Sequence, residues 1–422
     1  MSTETRRRIV LASRASQLAQ IQTHIVLDAL KTAFPDREFG TSFMSTQGDK
    51  DLSRALYLLG GKSLWTKELE VALLNGEVDM LVHSLKDVPT VLPDGCALGA
   101  ILEREYGEDS LVVKKGYTAA DGGTVRTLDD LPAGAVIGTS SVRRVAQLKR
   151  RYPDLVFKDV VRDHSNHSSH ACDKPLLTDC TISPLKARKS VRLTSYYDTD
   201  GGKTETVFSV CAMLKKSQTR FAKLDDPDGP YASLILAKAG LLRLGFGDRV
   251  TSDIVPPTLF HAVGQGALAI EIRADDAEAR TLCDALTHWQ TSWRCLAERA
   301  CLRVLEGGCS VPVGVHSELV PDSLAPLAEG GGDDDVRAAR LRLVGTITAV
   351  DGQRHVEQEI GREVKSAEEA EELGAQVARQ LIEAGGREIL DDVAKDRERR
   401  GAGSATGTEA GAADGKNTSS FQ

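Results

Sequence analysis

The sequence predicts an α/β protein with largely parallel sheets, followed by a smaller sheet-and-helix unit. Three observations carry this. Short apolar runs of strand length alternate with segments of helical period along most of the chain. Several runs end in small hydroxyl residues placed to cap a following helix. Towards the C-terminus longer strand-like runs precede a capped amphipathic helix. The chain has 422 residues, which at roughly 100–200 residues per domain suggests two to four domains.

The elements follow in order. Arg8-Ile9-Val10-Leu11-Ala12 reads as a buried strand, and Ser13 or Ser16 caps a helix with Leu18, Ile21, Ile25 and Leu30 on one face. A second strand is expected near Phe43–Thr46, then a glycine-rich turn at 60–62 and a helix over about Thr66–Leu74. Asp79–His83 is a third strand, stopped by Pro89. Residues 118–134 read as surface connection, Ala135–Gly138 as a strand, and Thr139-Ser140-Ser141 as the cap of a helix from Val142. More strand or helix pattern lies at 232–242 and 266–272, either side of Pro256-Pro257. Val311–Val315 and Leu341–Val350 predict strands of the last unit. Ser366-Ala367-Glu368-Glu369 is a capping box for a helix carrying Leu373, Val377 and Leu381, which Gly385-Gly386 ends. Residues 401–422 lack large apolar side chains and predict a disordered tail.

Composition excludes several classes. Lys and Arg number 53 against 61 Asp and Glu, a net charge of −8, which argues against general nucleic-acid binding. An acidic average is compatible with a local cationic pocket for a small anion. No apolar run approaches the ~18 residues of a membrane span. The basic N-terminus lacks a signal-peptide core, so the expected compartment is cytoplasmic. Eight cysteines in a chain of this length are not a disulfide scaffold.

One stretch breaks the pattern. Residues 161–218 show no sustained period, carry 14 Ser or Thr in 58 positions, and hold three of the nine histidines. Ordered loops of that length are uncommon in a compact domain. The stretch opens with Val161-Arg162 and ends with Ser217-Gln218, as an intron read in frame could. Its His164, His167, His170 and Cys172 resemble a metal cluster only superficially, and no metal is expected.

Two strand-to-helix turns are alike: Ala12-Ser13-Arg14-Ala15-Ser16 and Gly138-Thr139-Ser140-Ser141-Val142-Arg143-Arg144. Either alone fits plain N-caps with solvated arginines. Together they point to an anion-binding cleft, because helix N-termini and guanidinium groups both favour carboxylate or phosphate. Lys86-Asp87 ends a buried strand, where open α/β sheets bind ligands. It reads either as a surface turn or as a proton-handling pair. Lys62 and Lys67 flank the glycine-rich turn and could add positive charge. Cys309 sits in Glu306-Gly307-Gly308-Cys309-Ser310, either a buried structural thiol or an exposed nucleophile. Gly264-Gln265-Gly266 is not a dinucleotide fingerprint, since the third glycine and its acidic partner are missing.

In combination these motifs resemble the porphobilinogen deaminase (hydroxymethylbilane synthase) family. The resemblance rests on 12–16, Gly-Gly-Lys-Ser-Leu-Trp-Thr-Lys-Glu-Leu-Glu at 60–70, Val-His-Ser-Leu-Lys-Asp-Val-Pro-Thr at 82–90, 138–144, Val-Gly-Gln-Gly-Ala at 263–267 and 306–312, in the family's order. It covers about residues 7–160 and 219–395. It implies two periplasmic-binding-protein-like domains with a cleft between them (7–114 with 259–285, and 115–258 with the atypical insertion 161–218), and a small C-terminal α/β domain over 290–396. The implied activity joins four porphobilinogen molecules into 1-hydroxymethylbilane with loss of ammonia, by a monomer without nucleic-acid or membrane partner. The implied cofactor is dipyrromethane, attached through Cys309. Asp87 is the implied catalytic group. Arg14, Ser16, Lys62, Lys86, Thr139, Ser140, Ser141, Arg143, Arg144, Arg220 and Arg243 are the implied contacts for substrate and cofactor carboxylates. Of the family's Arg-Gly-Asn-x-x-Thr-Arg motif only Thr219-Arg220 is present, so a catalytically impaired isoform is one alternative. An anion-binding protein is the other, which a secretory signal would favour.

Overall fold

The computed structural model describes residues 8–46, 66–160, 215–305, 311–321 and 338–405. Lys62, Cys309, positions 161–214 and 406–422 lie outside the described residues. The strands are β1 (Ile9–Arg14), β2 (Phe39–Met44), β3 (Met80–Ser84), β4 (Cys96–Ile101), β5 (Asp109–Val113), β6 (Val136–Gly138), β7 (Val156–Lys158), β8 (Ser233–Ala237), β9 (Ser252–Ile254), β10 (Leu268–Arg273), β11 (Val313–Pro321), β12 (Ala339–Thr348) and β13 (His355–Val364). The helices are α1 (Gln17–Ala33), α2 (Lys67–Leu74), α3 (Val142–Arg151), α4 (Lys215–Asp225), α5 (Lys238–Arg243), α6 (Ala277–Asp284), α7 (Trp289–Val304), α8 (Ala367–Leu381) and α9 (Arg387–Ala405).

Two sheets repeat one topology. The first has the order β2-β1-β3-β10-β4 and the second β7-β6-β8-β5-β9. In the first, β1 runs parallel to β2 and β3, and β10 runs antiparallel to β3 and β4. In the second, β6 runs parallel to β7 and β8, and β5 runs antiparallel to β8 and β9. Each sheet thus takes its antiparallel strand from the far side of a crossover, one at 102–108 and the other at 255–267. This is the paired arrangement expected of a periplasmic-binding-like fold. The first crossover comes before the expected boundary at 114, because β5 pairs in the second sheet.

Strand alternation assigns the faces. Ile9, Leu11, Met80, Val82, Ile270 and Ile272 pack with α1 and α6, while Ala12 and Leu81 pack under α2. In the second sheet Leu111, Ile137 and Ile235 pack with Leu148 of α3, and Val112 and Leu234 with Phe221 and Leu224 of α4. The third sheet, β11-β12-β13, is an antiparallel meander covered by α7 and α8. Those helices cross so closely that a Cβ on Gly374 would lie 1.9 Å from the Ala297 carbonyl oxygen.

Several expectations shift. On α1, Ile25 is exposed while Gln22 and Thr23 are buried, because Gln22 bonds Ser84 and Thr23 bonds Ser13 (2.8 and 2.7 Å). The expected strand at 43–46 begins earlier, at Phe39. Positions 215–218, read as aperiodic, open α4. Gly385 at φ 97° breaks α8 from α9, which then continues to Ala405, into the stretch expected as tail.

A buried ion pair joins the crossovers to the third sheet. Arg104 reaches both carboxylate oxygens of Glu298 on α7 at 2.8 and 2.7 Å, and donates to the Gln265 carbonyl at 3.0 Å. Glu298 also accepts from the Gly264 N–H (2.8 Å) and the Ser317 hydroxyl (2.5 Å). Burial alone would raise the Glu298 carboxyl, but Arg104, His261 and Ser317 hold it well below the usual range. Gly266, at φ 90°, lies where a Cβ would stand 2.3 Å from the Tyr106 carbonyl oxygen of the other crossover.

Glu298→Gln leaves Arg104 buried without its counter-charge and is expected to cost about 3–5 kcal/mol of stability, measured by denaturant titration; a cost below about 1 kcal/mol contradicts the role. Burial pushes the pKa of His261 from 6.5 down to about 4. Its stabilising contribution is therefore complete above pH 6.5 and is lost as pH falls through about 4. Melting temperatures of His261→Gln should accordingly fall less steeply than wild type across that window.

Candidate active site

The candidate cleft opens where the C-terminal ends of β1 and β3 face the N-terminus of α3. Its first-sheet wall is lined by Arg14, Ser16, Gln22, Thr66, His83, Ser84 and Asp87, and encloses about 430 Å³ including its mouth. Arg14 ends β1, and Ser16 caps α1 by accepting from the Ala19 N–H at 3.4 Å. Asp87 ends a tight 3-10 turn, Leu85–Asp87, directly after β3. Its side chain is exposed, while Leu85 beneath is buried and anchors the turn. From α7, Arg299 donates to the carbonyls of Val88 and Pro89 at 3.2 and 2.6 Å, which fixes the exit of the same turn. Leu18 of α1 approaches Gly240 of α5, so the two lobes meet beside the cleft.

Lys86 lies among charges from both lobes. Burial lowers its pKa; Asp87 and Asp109 oppose the fall, and Arg144 and Arg143 deepen it. Asp109, at the start of β5, is the acidic node. It accepts from Arg143 at 2.8 Å, Arg144 at 2.7 Å and Gln265 at 2.9 Å. Burial would raise its carboxyl, and the two arginines hold it well below the usual range.

The sequence-predicted residues divide into two groups. Arg143 is buried, with its terminal nitrogens on Asp109 and on the Phe260 carbonyl (2.5 Å). Arg243 donates to Glu105 at 3.0 Å and to the Gly266 carbonyl at 2.8 Å. Both therefore brace the crossovers, where the sequence suggested carboxylate contacts. Arg144 also bonds the Ile235 carbonyl at 2.7 Å, yet its Nε has no acceptor among the described residues. Arg220 on α4 lies near Arg144 and Asp159; burial and Arg144 lower its pKa. Ser141 caps α3 through the Arg144 N–H at 3.5 Å, and its own N–H donates to Thr139 at 3.3 Å. Ser140 donates to Asp159 at 2.5 Å. The plain N-cap reading thus holds for Ser16 and Ser141. Lys62 and Cys309 fall outside the described residues, the latter between Leu305 after α7 and Val311 before β11.

Sequence reasoning missed Gln22, His83, Asp109 and the Arg104–Glu298 pair. The sequence offered little signal: Asp109 stands between Glu108 and Ser110, just ahead of the apolar run Leu111-Val112-Val113, and the partners of these residues are remote in the chain.

Comparison with known proteins places the chain in a family. Residues 9–164 and 207–281 match the family described as porphobilinogen deaminase, dipyromethane cofactor binding domain. Residues 292–383 match porphobilinogen deaminase, C-terminal domain. The match skips 165–206, so the stretch outside the family pattern is narrower than the 161–218 read from periodicity. A protein of Nostoc sp. named porphobilinogen deaminase is 42% identical over 388 residues, covering 92% of this chain and 95% of its own. One of Yarrowia lipolytica with the same name is 40% identical over 391 residues, covering 92% and 93%. The chain belongs to the porphobilinogen deaminase family.

Proposed function

We propose that this chain is a hydroxymethylbilane synthase, which joins four porphobilinogen molecules head to tail and releases one ammonia per unit added. The observation that carries the reading is Asp87 in a cleft also lined by Arg14, with Lys86 next to it among Asp109, Arg143 and Arg144, in a chain of net charge −8. Each porphobilinogen brings an acetate and a propionate, so the growing chain gathers negative charge. A cationic cleft in an acidic protein selects and orients such a substrate.

The residues present fit dipyrromethane, whose side chains are also carboxylates. Arg14, Lys86, Arg144, Arg220 and the hydroxyls of Ser16 and Thr139–Ser141 would hold it, and the unpaired Nε of Arg144 is a donor suited to an incoming carboxylate. Cys309 would anchor it by a thioether. When bound, the group supplies the pyrrole carbon to which the first substrate is joined. Helix α7, pinned to the Asp87 turn through Arg299, ends at Val304, five positions before Cys309 in the sequence.

Asp87 accepts the pyrrole N–H of the reacting ring. It thereby stabilises positive charge on that ring as ammonia leaves, and it takes up the proton lost from the α-carbon. Lys86, beside it, binds a substrate carboxylate. Arg143 and Arg243 act indirectly by holding the crossovers. No described helix is long and apolar enough to cross a membrane, and we assign the enzyme to the cytoplasm as a monomer.

Asp87→Asn is expected to lower kcat by about 10²–10⁴ while KM for porphobilinogen changes only a few-fold; an unchanged kcat contradicts the assignment. Intact-mass measurement of the chain from a host that makes porphobilinogen should show one added dipyrromethane, absent in Cys309→Ala. An unmodified wild-type chain that also leaves porphobilinogen unreacted would instead favour a catalytically impaired form.

A further inference from the structure

Beneath α2, on the inner face of the first sheet, three titratable side chains meet in the dry interior. Ile270 and Ile272 of β10 point to the α1 face, so Glu271 between them points to the α2 face. Leu81 lies opposite Glu271 and His83 opposite Ala269, which puts His83 and Glu271 diagonally on that face. His83 Nε2 stands 3.2 Å from Glu271 Oε2. Glu70 comes down from α2. All three are buried, with Glu271 fully so.

The polar accounting is incomplete without shared protons. Glu70 Oε1, His83 Nε2 and both Glu271 oxygens make no well-aligned hydrogen bond among the described residues; the Thr66 hydroxyl lies by Glu70 and the Cys96 thiol by Glu271, and His83 meets Glu271 as a charge contact. The surrounding charges do not settle the cluster. Arg273 of β10 is tied to Asp79 and Asp276. Arg299 of α7 feels Glu271 but bonds the Val88 and Pro89 carbonyls. On β4, burial and Glu271 push the Cys96 thiol up to about 12, so it stays neutral. Glu68 of α2 adds another carboxylate nearby in sequence, and Thr66 a hydroxyl. Burial, opposed by Thr66 and His83 and reinforced by Glu271, holds the Glu70 carboxyl above its usual value. Two carboxylates and one imidazole thus stand together, with Glu70 the one disposed to keep its proton.

His83 also lines the cleft, beside Ser84 and Asp87. We propose that Glu70, His83 and Glu271 form a proton-sharing trio backing the β3 wall of the cleft, and that loss of its proton weakens binding of the polycarboxylate substrate. The inference rests on the porphobilinogen reading of the cleft. The trio acts through charge on the wall, not on the reacting atoms. With its protons in place the wall is close to neutral. Each proton lost adds a negative charge that repels the incoming carboxylates, so KM rises with pH while the kcat profile does not depend on the trio.

The test is steady-state kinetics of the holoenzyme on porphobilinogen from pH about 6 to about 9, with Glu70→Gln beside wild type. Wild-type KM should rise by about tenfold, from one unit charge at several ångströms in a partly polar medium. In Glu70→Gln the rise should disappear, with the kcat profile unchanged. A variant that keeps the wild-type KM rise overturns the proposal. Infrared spectra of the same holoenzymes at neutral pH provide a readout independent of turnover. A protonated-carboxyl band present in wild type and lost in Glu70→Gln or Glu271→Gln supports the trio, and its absence from wild type overturns it. If wild type does not turn over porphobilinogen at all, the reading of the function fails, and the infrared band alone decides on the trio.

Discussion

The bidentate pairing of Arg104 with Glu298 is the constraint on which the other parts depend. Taking both charges out of water is costly, and the cost is offset only because the remaining donors and acceptors are satisfied. Gly264 and Ser317 complete the carboxylate, and the Gln265 carbonyl takes the arginine Nε. Three remote segments therefore meet at one point: the first crossover, the second crossover, and the helix that leads to Cys309. Gly266 lets the two crossovers approach where any side chain would collide. From that point outward the geometry of the cleft is set, since β3 and β10 pair next to it and Gln265 reaches on to Asp109.

The same logic divides the cations. Asp109 binds two guanidinium groups side by side, which holds the α3 N-terminus against the crossovers. Arg243 does the equivalent for α5. Under the proposed function, binding of substrate carboxylates falls to Arg14, Lys86, Arg144 and Arg220, Arg144 while also holding Asp109. On that proposal positive potential is concentrated at the cleft in a chain of net charge −8.

Much of this was legible in the sequence, for reasons that can be named. β1, β3 and β6 are short apolar runs followed by caps or a proline, signals that depend only on near neighbours. Ser366 caps its helix as expected, accepting from the Glu369 N–H at 3.2 Å, though the Glu369 carboxylate takes the Lys365 N–H (2.8 Å) where a capping box would use that of Ser366. β13 was not legible, because it is an edge strand whose residues alternate between exposed and half-buried. The inward face of α1 was misplaced because Gln22 and Thr23 are buried by hydrogen bonds to distant residues. Arg143 and Arg144 look alike in sequence and share Asp109; their second acceptors, the Phe260 and Ile235 carbonyls, lie 117 and 91 positions away, beyond the reach of local pattern. Local pattern carries elements and caps, while long-range ion pairs such as those on Asp109 do not show in it.

The measurement that tests the account most directly is the ratio of ammonia released to 1-hydroxymethylbilane formed by the purified chain supplied with porphobilinogen. A cleft that binds, orients and condenses the substrate predicts four ammonia per bilane, with product appearing only after the first units have been consumed. Saturable binding of porphobilinogen with no ammonia released would contradict the account and leave the cleft as a binding site for an anionic small molecule.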